Sequence, residues 1–331
     1  MQRRQRRARS ATSSVFPALI ACFALGCGAR SQLESGGSER GGRGSTPTAI
    51  PPLPDAAAPD AAVDAGLPSP PPTRFAVIGD YGTSGSNEKL MAELVLEFDP
   101  AFIITTGDNN YPSGSADTID ANIGQYFHTF IAPYRGMYGE GASKNRFFPS
   151  LGNHDWLTPG AQPYLDYFEL PHNERYYDVV QDGIHLFAID SDTREPDGIG
   201  ASSAQAAWLE QRLTASRARW KIVYFHHPPY SSGAHGSSPE LRWPYREWGA
   251  SVVYSGHDHI YERFSIDGFP YVVNGVGGKE LYRIGTLQPG SQVAINDVHG
   301  AVLVTASDSE LISQFVSVEG LVLDELRLTA Q

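Results

Sequence analysis

Five short polar blocks carry the side chains that could do chemistry: "GDYG" from Gly79, "GDNNY" from Gly107, "GNHD" from Gly152, "HHPP" from His226 and "GHDH" from Gly256. Each follows an apolar run, so each falls where a buried strand should end. In open α/β sheets, ligands bind in the crevice beyond the carboxyl ends of the strands, and a glycine there lets the backbone turn tightly. Carboxylate, phenol, amide and imidazole are the donors that a hard di- or trivalent cation takes, and each block supplies one or two of them. An aspartate after a strand more often caps a turn or helix. For Asp80 and Asp108, five aligned blocks outweigh that reading, and the expectation is that all five collect at one edge of the sheet.

In this order and spacing, from Arg74 to about Gly278, the blocks resemble the metallophosphoesterase superfamily, calcineurin-like in type. Within it they look like the purple acid phosphatases of the small, tartrate-resistant, mammalian-type group. The resemblance implies that Asp80, Asp108, Tyr111 and His259 bind a first metal ion. Asp108 then bridges to a second, held by Asn153, His226 and His257. A phenolate from Tyr111 suits a ferric ion, whereas the wider superfamily of phosphodiesterases and nucleotidases usually lacks this tyrosine. The implied cofactor is a dinuclear centre of Fe(III) with Fe(II), Zn(II) or Mn(II). The implied activity is hydrolysis of phosphomonoesters by in-line attack of a metal-bound hydroxide, so that no protein nucleophile is needed. The match extends to His154 in "GNHD" and to His235 in "GAHG", nine residues past His226. By the resemblance these two histidines hold the phosphoryl group and protonate the leaving alkoxide.

A phosphodiesterase or nucleotidase of the same superfamily is the alternative, because the distinction lies in loops. A non-catalytic, surface-anchored metal or phosphate binder is the alternative of another class, and His154 argues against it, since pure binding requires no proton donor. His227 is expected to point away from His226 and to support the site rather than ligate. His128, His172, His185 and His299 stand apart from the blocks and read as structural, and the aromatic stretch from Trp243 to Trp248 reads as core or pocket wall.

The elements that must position the blocks are short. Apolar runs at Arg74 to Gly79, Ala101 to Gly107, Arg146 to Gly152, Ile184 to Asp190, Trp220 to His226 and Ala250 to Gly256 predict buried strands. Leu90, Met91, Leu94, Val95 and Phe98 recur at helical spacing, with Ser86 as N-cap. A second helix should start at Ser202, with Gln205 completing a capping box, and continue through Trp208, Leu209 and Leu213. After Gly300, three short strands with a turn at "EG" should finish a sheet. Alternating strands and helices define an α/β fold. The resemblance implies its particular form, a four-layer α/β/β/α sandwich.

The 331-residue chain carries a net charge of −12, which repels nucleic acid. Bound cations would invert the local field and let such a protein hold an anionic phosphoester of small size. Five arginines in the first nine residues precede an apolar stretch from Val15 to Gly26, the layout of a secretory signal and too short to span a bilayer. Cys22 and Cys27, the only cysteines, end boxes like those acylated in bacterial lipoproteins, with Cys27 favoured. The expected organisation is a signal with lipobox over 1–27, a Gly/Ser/Pro/Ala-rich linker over 28–72 and a catalytic domain over 73–331. That makes an exported protein, either held in the cell envelope by a lipid or secreted. No disulfide or thiolate metal site is possible beyond Cys27.

Overall fold

The computed structural model describes residues 71–330. The signal segment with Cys22 and Cys27, and nearly all of the linker, lie outside the described residues. The described chain opens with half of one sheet: β1 (Thr73–Ile78), β2 (Phe102–Thr105) and β3 (Phe147–Pro149) run parallel. The chain then builds a whole second sheet from β4 (Tyr177–Gln181), β5 (Ile184–Ala188), β6 (Trp220–Tyr224), β7 (Val252–Ser255), β8 (Tyr261–Ile266), β9 (Phe269–Asn274) and β10 (Ser291–Ile295). It returns to complete the first with β11 (Gly300–Ala306), β12 (Glu310–Ser317) and β13 (Val322–Thr329). The sheet orders are β13-β12-β11-β1-β2-β3 and β10-β8-β9-β7-β6-β5-β4.

Every residue of β2, β5, β7 and β9 is buried, as expected of strands covered on both faces. In the second sheet alternate residues feed different cores. Leu186, Ile222, Tyr224, Val252 and Tyr254 join the core shared with the first sheet. Their neighbours Phe187, Val223 and Val253 pack outward beneath Trp208 and Leu209 of the Ala204–Ala215 helix. That is the two-residue period of a strand turned into two layers. On the other side, the Ser86–Phe98 helix inserts Met91, Ala92 and Val95 into the shared core. The four-layer α/β/β/α arrangement follows, and the six strands expected from the apolar runs are all present.

Two helix starts differ from expectation. The Ser86–Phe98 helix has Gly85 at its N-cap without a side-chain cap, and its Glu88 carboxylate instead accepts from the Thr83 and Ser84 amides. At the second helix the cap is Ser203, accepting from Ala206 N–H, rather than Ser202. Gln205 forms no capping box; it holds the backbone N–H and C=O of Asp190 at 2.7 and 2.8 Å. A buried tertiary use of the amide displaces the local one. β4, β8, β9 and β10 were not among the expected strands.

The sheets are tied together by more than apolar contact. Asp324 on β13 accepts a two-pronged bond from Arg263 on β8 at 2.6 and 2.9 Å, and a third from Tyr261 at 2.7 Å. Burial raises the Asp324 carboxyl, but its bonds with Arg263 and Tyr261 prevail and hold it below the ordinary range. Asp324→Ala should therefore lower stability by about 1–3 kcal/mol. A depressed folded-state pKa stabilises above the unfolded value, about 4, and is lost as pH falls through the folded one. Urea denaturation should thus show the full deficit near neutrality and a shrinking one below pH about 4.

Candidate metal centre

The blocks do not share one sheet edge. "GDYG", "GDNNY" and "GNHD" follow β1, β2 and β3 of the first sheet, while "HHPP" and "GHDH" follow β6 and β7 of the second. The carboxyl ends of the two sheets meet along a seam, which the backbone closes: past β9, Gly277 N–H donates to Gly79 C=O and Lys279 N–H to Asp80 C=O, both at 3.0 Å. The Asn274 side chain at the end of β9 reaches across to Val77 C=O on β1.

All seven expected ligands come together at this seam. The Tyr111 hydroxyl lies 2.9 Å from Asp108 Oδ2, 3.3 Å from Asp80 Oδ1 and 3.2 Å from His259 Nε2. On the far side of Asp108, His226 Nε2 stands 3.4 Å from Oδ1, 2.9 Å from Asn153 Oδ1 and 3.1 Å from His257 Nδ1. Asp80, Asp108 and His226 form one group whose donor atoms lie within 4.8 Å of one another. Asp108 thus faces both halves of the site.

Local backbone geometry is bent to this end. Asp80, Asp108 and His257 have φ of 54°, 51° and 71°, in the left-handed region that costs non-glycine residues about 1–3 kcal/mol each. Aspartate tolerates it better than most. The block glycines leave no room for a side chain: a Cβ on Gly256 would strike Asp80 Oδ2, and one on Gly152 would strike the Asp108 amide and carboxylate.

The imidazoles are oriented by carbonyls, which can only accept. His226 Nδ1 lies 2.9 Å from Thr106 C=O and His259 Nδ1 2.6 Å from Glu280 C=O, so each Nδ1 carries the proton. Both Nε2 lone pairs are then aimed into the cluster, the usual way a protein prepares a histidine for a metal. Burial raises the Asp80 carboxyl, but the bond with His259 and the charges of His226 and His259 outweigh it and lower its pKa. Burial lowers His226, and Asp108 and Asp80 pull it back above its usual value. Burial, then Asp80 and Asp108, push the Tyr111 phenol far up. A cation among these oxygens reverses that last sign. Two carboxylates, a phenol, an amide oxygen and three imidazoles with converging lone pairs fit a pair of hard cations.

His154 stands beside the cluster. Its Nδ1 is 2.6 Å from Pro112 C=O, its Nε2 3.9 Å from Asp108 Oδ2, and its ring packs on Tyr111. His235 is exposed and stacks on His257 at 4.3 Å. His227 does not point away: one of its nitrogens groups with those of His226 and His257 within 4.8 Å, and its Nδ1 lies 2.9 Å from Ser191 Oγ. β6 ends at Tyr224, so strand alternation no longer applies at His227. Burial, then the charge of His226, push His227 down to about 3. His128, His172, His185 and His299 bond to Gly124 C=O, Asp178, Asp178 and Val276 C=O, away from the cluster. Trp243, Tyr245 and Trp248 are core.

Several neighbours carried no sequence signal. Tyr282 stacks on His259 at 3.9 Å, Lys279 lies over the Tyr111 ring at 5.1 Å, and Arg194 holds Asn153 C=O at 3.2 Å. Asp155, which ends the "GNHD" block and had no role assigned from sequence, is buried and accepts from the Gly152 and Asn109 amides, and burial together with Asp108 pushes it up to about 7.

Residues 73–261 match the family described as calcineurin-like phosphoesterase, and the chain belongs to that family. More particularly, it is 29% identical over 238 residues to purple acid phosphatase 17 of Arabidopsis thaliana, spanning 62% of this chain and 68% of that one. It is 24% identical over 245 residues to tartrate-resistant acid phosphatase type 5 of Homo sapiens, spanning 62% and 73%. Among solved structures, GAP50, the anchor in the inner membrane complex of Plasmodium, superposes with a TM-score of 0.62 at 20% identity, over 79% of this chain and 90% of that one. A purple acid phosphatase from yellow lupin seeds gives 0.61 at 18% identity, over 78% and 54%. The two likenesses in shape bear on the fold, and the relatives by sequence bear out the resemblance read from the five blocks.

Gly256→Ala tests the packing of the seam. The added methyl presses on Asp80 and on Thr106 C=O, so metal content by elemental analysis should drop as affinity falls about 10–100-fold. Gly200→Ala, where a Cβ meets nothing within 4 Å, should leave it unchanged.

Proposed function

We propose that the chain is a phosphomonoesterase of the acid phosphatase type, working through a dinuclear centre of Fe(III) with Fe(II), Zn(II) or Mn(II). One observation carries the reading: seven side chains of ligand type, Tyr111 among them, converge with Asp108 between the two halves of the set. Asp80, Asp108, Tyr111 and His259 would hold the ferric ion, and Asp108, Asn153, His226 and His257 the other. When bound, such a pair polarises a phosphoryl oxygen and makes water acidic enough to supply the nucleophile.

The chain's own part is positioning and proton transfer. The Thr106 and Glu280 carbonyls keep His226 and His259 in the ligating tautomer. Pro112 C=O fixes the His154 ring with Nε2 turned toward Asp108, where a leaving-group oxygen beside the centre would meet it. Holding a proton at Nε2, His154 is the general acid for an alkoxide. His235 is exposed at the mouth on the His257 side, and its part is to grip the phosphoryl oxygens. The acidic surface is no obstacle to a small phosphoester, because the ions set the field where it binds.

The decisive experiment is turnover of 4-nitrophenyl phosphate against its bis ester by metal-loaded protein; preference for the diester would sink the monoesterase reading. Tyr111→Phe should remove the visible charge-transfer band while part of the activity survives, since the phenol tunes the ion and does not attack. A positioned general acid contributes about 10²–10⁴-fold. His154→Ala should lose that much on an alkyl phosphate and far less on 4-nitrophenyl phosphate, whose aryloxide leaves unaided. His235→Ala should slow both alike.

A further inference from the structure

At the opposite end of the second sheet lies a pocket of about 780 Å³ that the metal centre does not use. Its lining includes Trp220, Lys221 and Phe269, from the first residues of β6 and β9, and Ser251 just ahead of β7. Those strands run parallel and carry His226 and His257 past their far ends. At about 3.3 Å per residue, the five residues of β6 alone set the two sites roughly 13 Å apart. This is a separate place.

Its chemistry is one-sided. Arg217, Arg219, Lys221, Arg246 and Arg327 all line it, and no acidic side chain does. The chain as a whole has 37 acidic residues against 25 basic ones, so five cations around one recess run against its overall balance. Of the five, only Arg327 is ion-paired among the described residues, to Glu310 and Glu325. Arg246 donates to a backbone carbonyl, that of Asp267. Lys221 is half-buried, and burial alone lowers its pKa; no carboxylate contributes to holding its charge. Like charges gathered without counter-ions repel, and a guanidinium offers a planar fork that matches phosphate oxygens.

We propose that this pocket is a second ligand site, for a small, soluble, multiply charged phosphoanion such as an oligophosphate. The volume is that of a small-molecule site, and its concave form suits a compact anion. Arg217, Arg219, Lys221 and Arg246 supply the charge, and the buried Trp220 and Phe269 form part of the wall.

The test is calorimetric titration of the metal-loaded full chain with a methylene-bridged triphosphate analogue, which resists hydrolysis. The paired substitution Arg219→Ala with Lys221→Gln should weaken one binding event at least tenfold and leave metal content unchanged. Arg246→Ala, in a different loop, should weaken the same event and guards against misfolding of the first variant. Raising salt should weaken the event as well, since the pocket opens to solvent. Variants that bind like the parent, or binding in the parent that disappears when the metals are chelated, would overturn the proposal. So would a loss, in the same variants, of pelleting with vesicles of phosphatidylcholine and phosphatidylglycerol in equal parts when the soluble probe never binds, for the ligand is then a lipid headgroup.

Discussion

One proton is shared among too many oxygens. The Tyr111 hydroxyl has a single hydrogen, yet two buried carboxylates and an imidazole nitrogen all stand within 3.3 Å of its oxygen. His226 and His257 face each other through ring nitrogens 3.1 Å apart. Protein groups alone satisfy such an arrangement poorly, because lone pairs confront lone pairs in a dry place. Positive charge between them resolves it. Much of the surrounding structure is what keeps these groups from relaxing apart.

That restraint comes from the meeting of two sheets. Each contributes blocks from its own carboxyl edge, so the donors are brought face to face by sheet packing rather than by a loop folding on itself. The left-handed φ of Asp80, Asp108 and His257 is tolerated because the neighbouring backbone leaves nowhere else to go. Gly79 and Gly256 let segments of the two sheets touch, and a methyl at either would open the seam, while Gly152 lets its own segment close on Asp108. Asp324 with Arg263 and Tyr261, and the stack of Tyr261 on Phe315 at 4.2 Å, hold the sheets together away from the site. Strain at the centre is thus balanced by packing elsewhere.

The charge of the molecule is distributed with the same division. Around the centre, carboxylates and imidazoles converge, and Lys279 lies over the Tyr111 ring rather than against an acid of the cluster. At the other end of β6 and β9, five cations line a recess whose lining holds no acidic side chain, and Arg327 alone among them is ion-paired among the described residues. A chain of net charge −12 thus keeps its donor cluster and its basic recess at opposite ends of the same strands.

What the sequence determined by itself was the strands, the order of the blocks and the donor types, because burial on both faces writes continuous apolar runs and metal chemistry restricts the residues that can follow them. The seven side chains of ligand type and His154, singled out through the family resemblance those blocks carry, do converge at the seam, and the three closing strands with their turn at Glu319 and Gly320 were legible as well. Tertiary structure decided which edges meet. Nothing local distinguishes one sheet with five blocks from two sheets with three and two, since the partner of a strand is chosen by packing across the chain. Gln205 shows the same limit: its spacing from Ser202 suits a helix cap, but a buried backbone at Asp190 claimed its amide. His227 turned inward because β6 had already ended. Tyr282, Lys279 and Arg194 reach the centre only through long-range folding, so no spacing along the chain could have announced them.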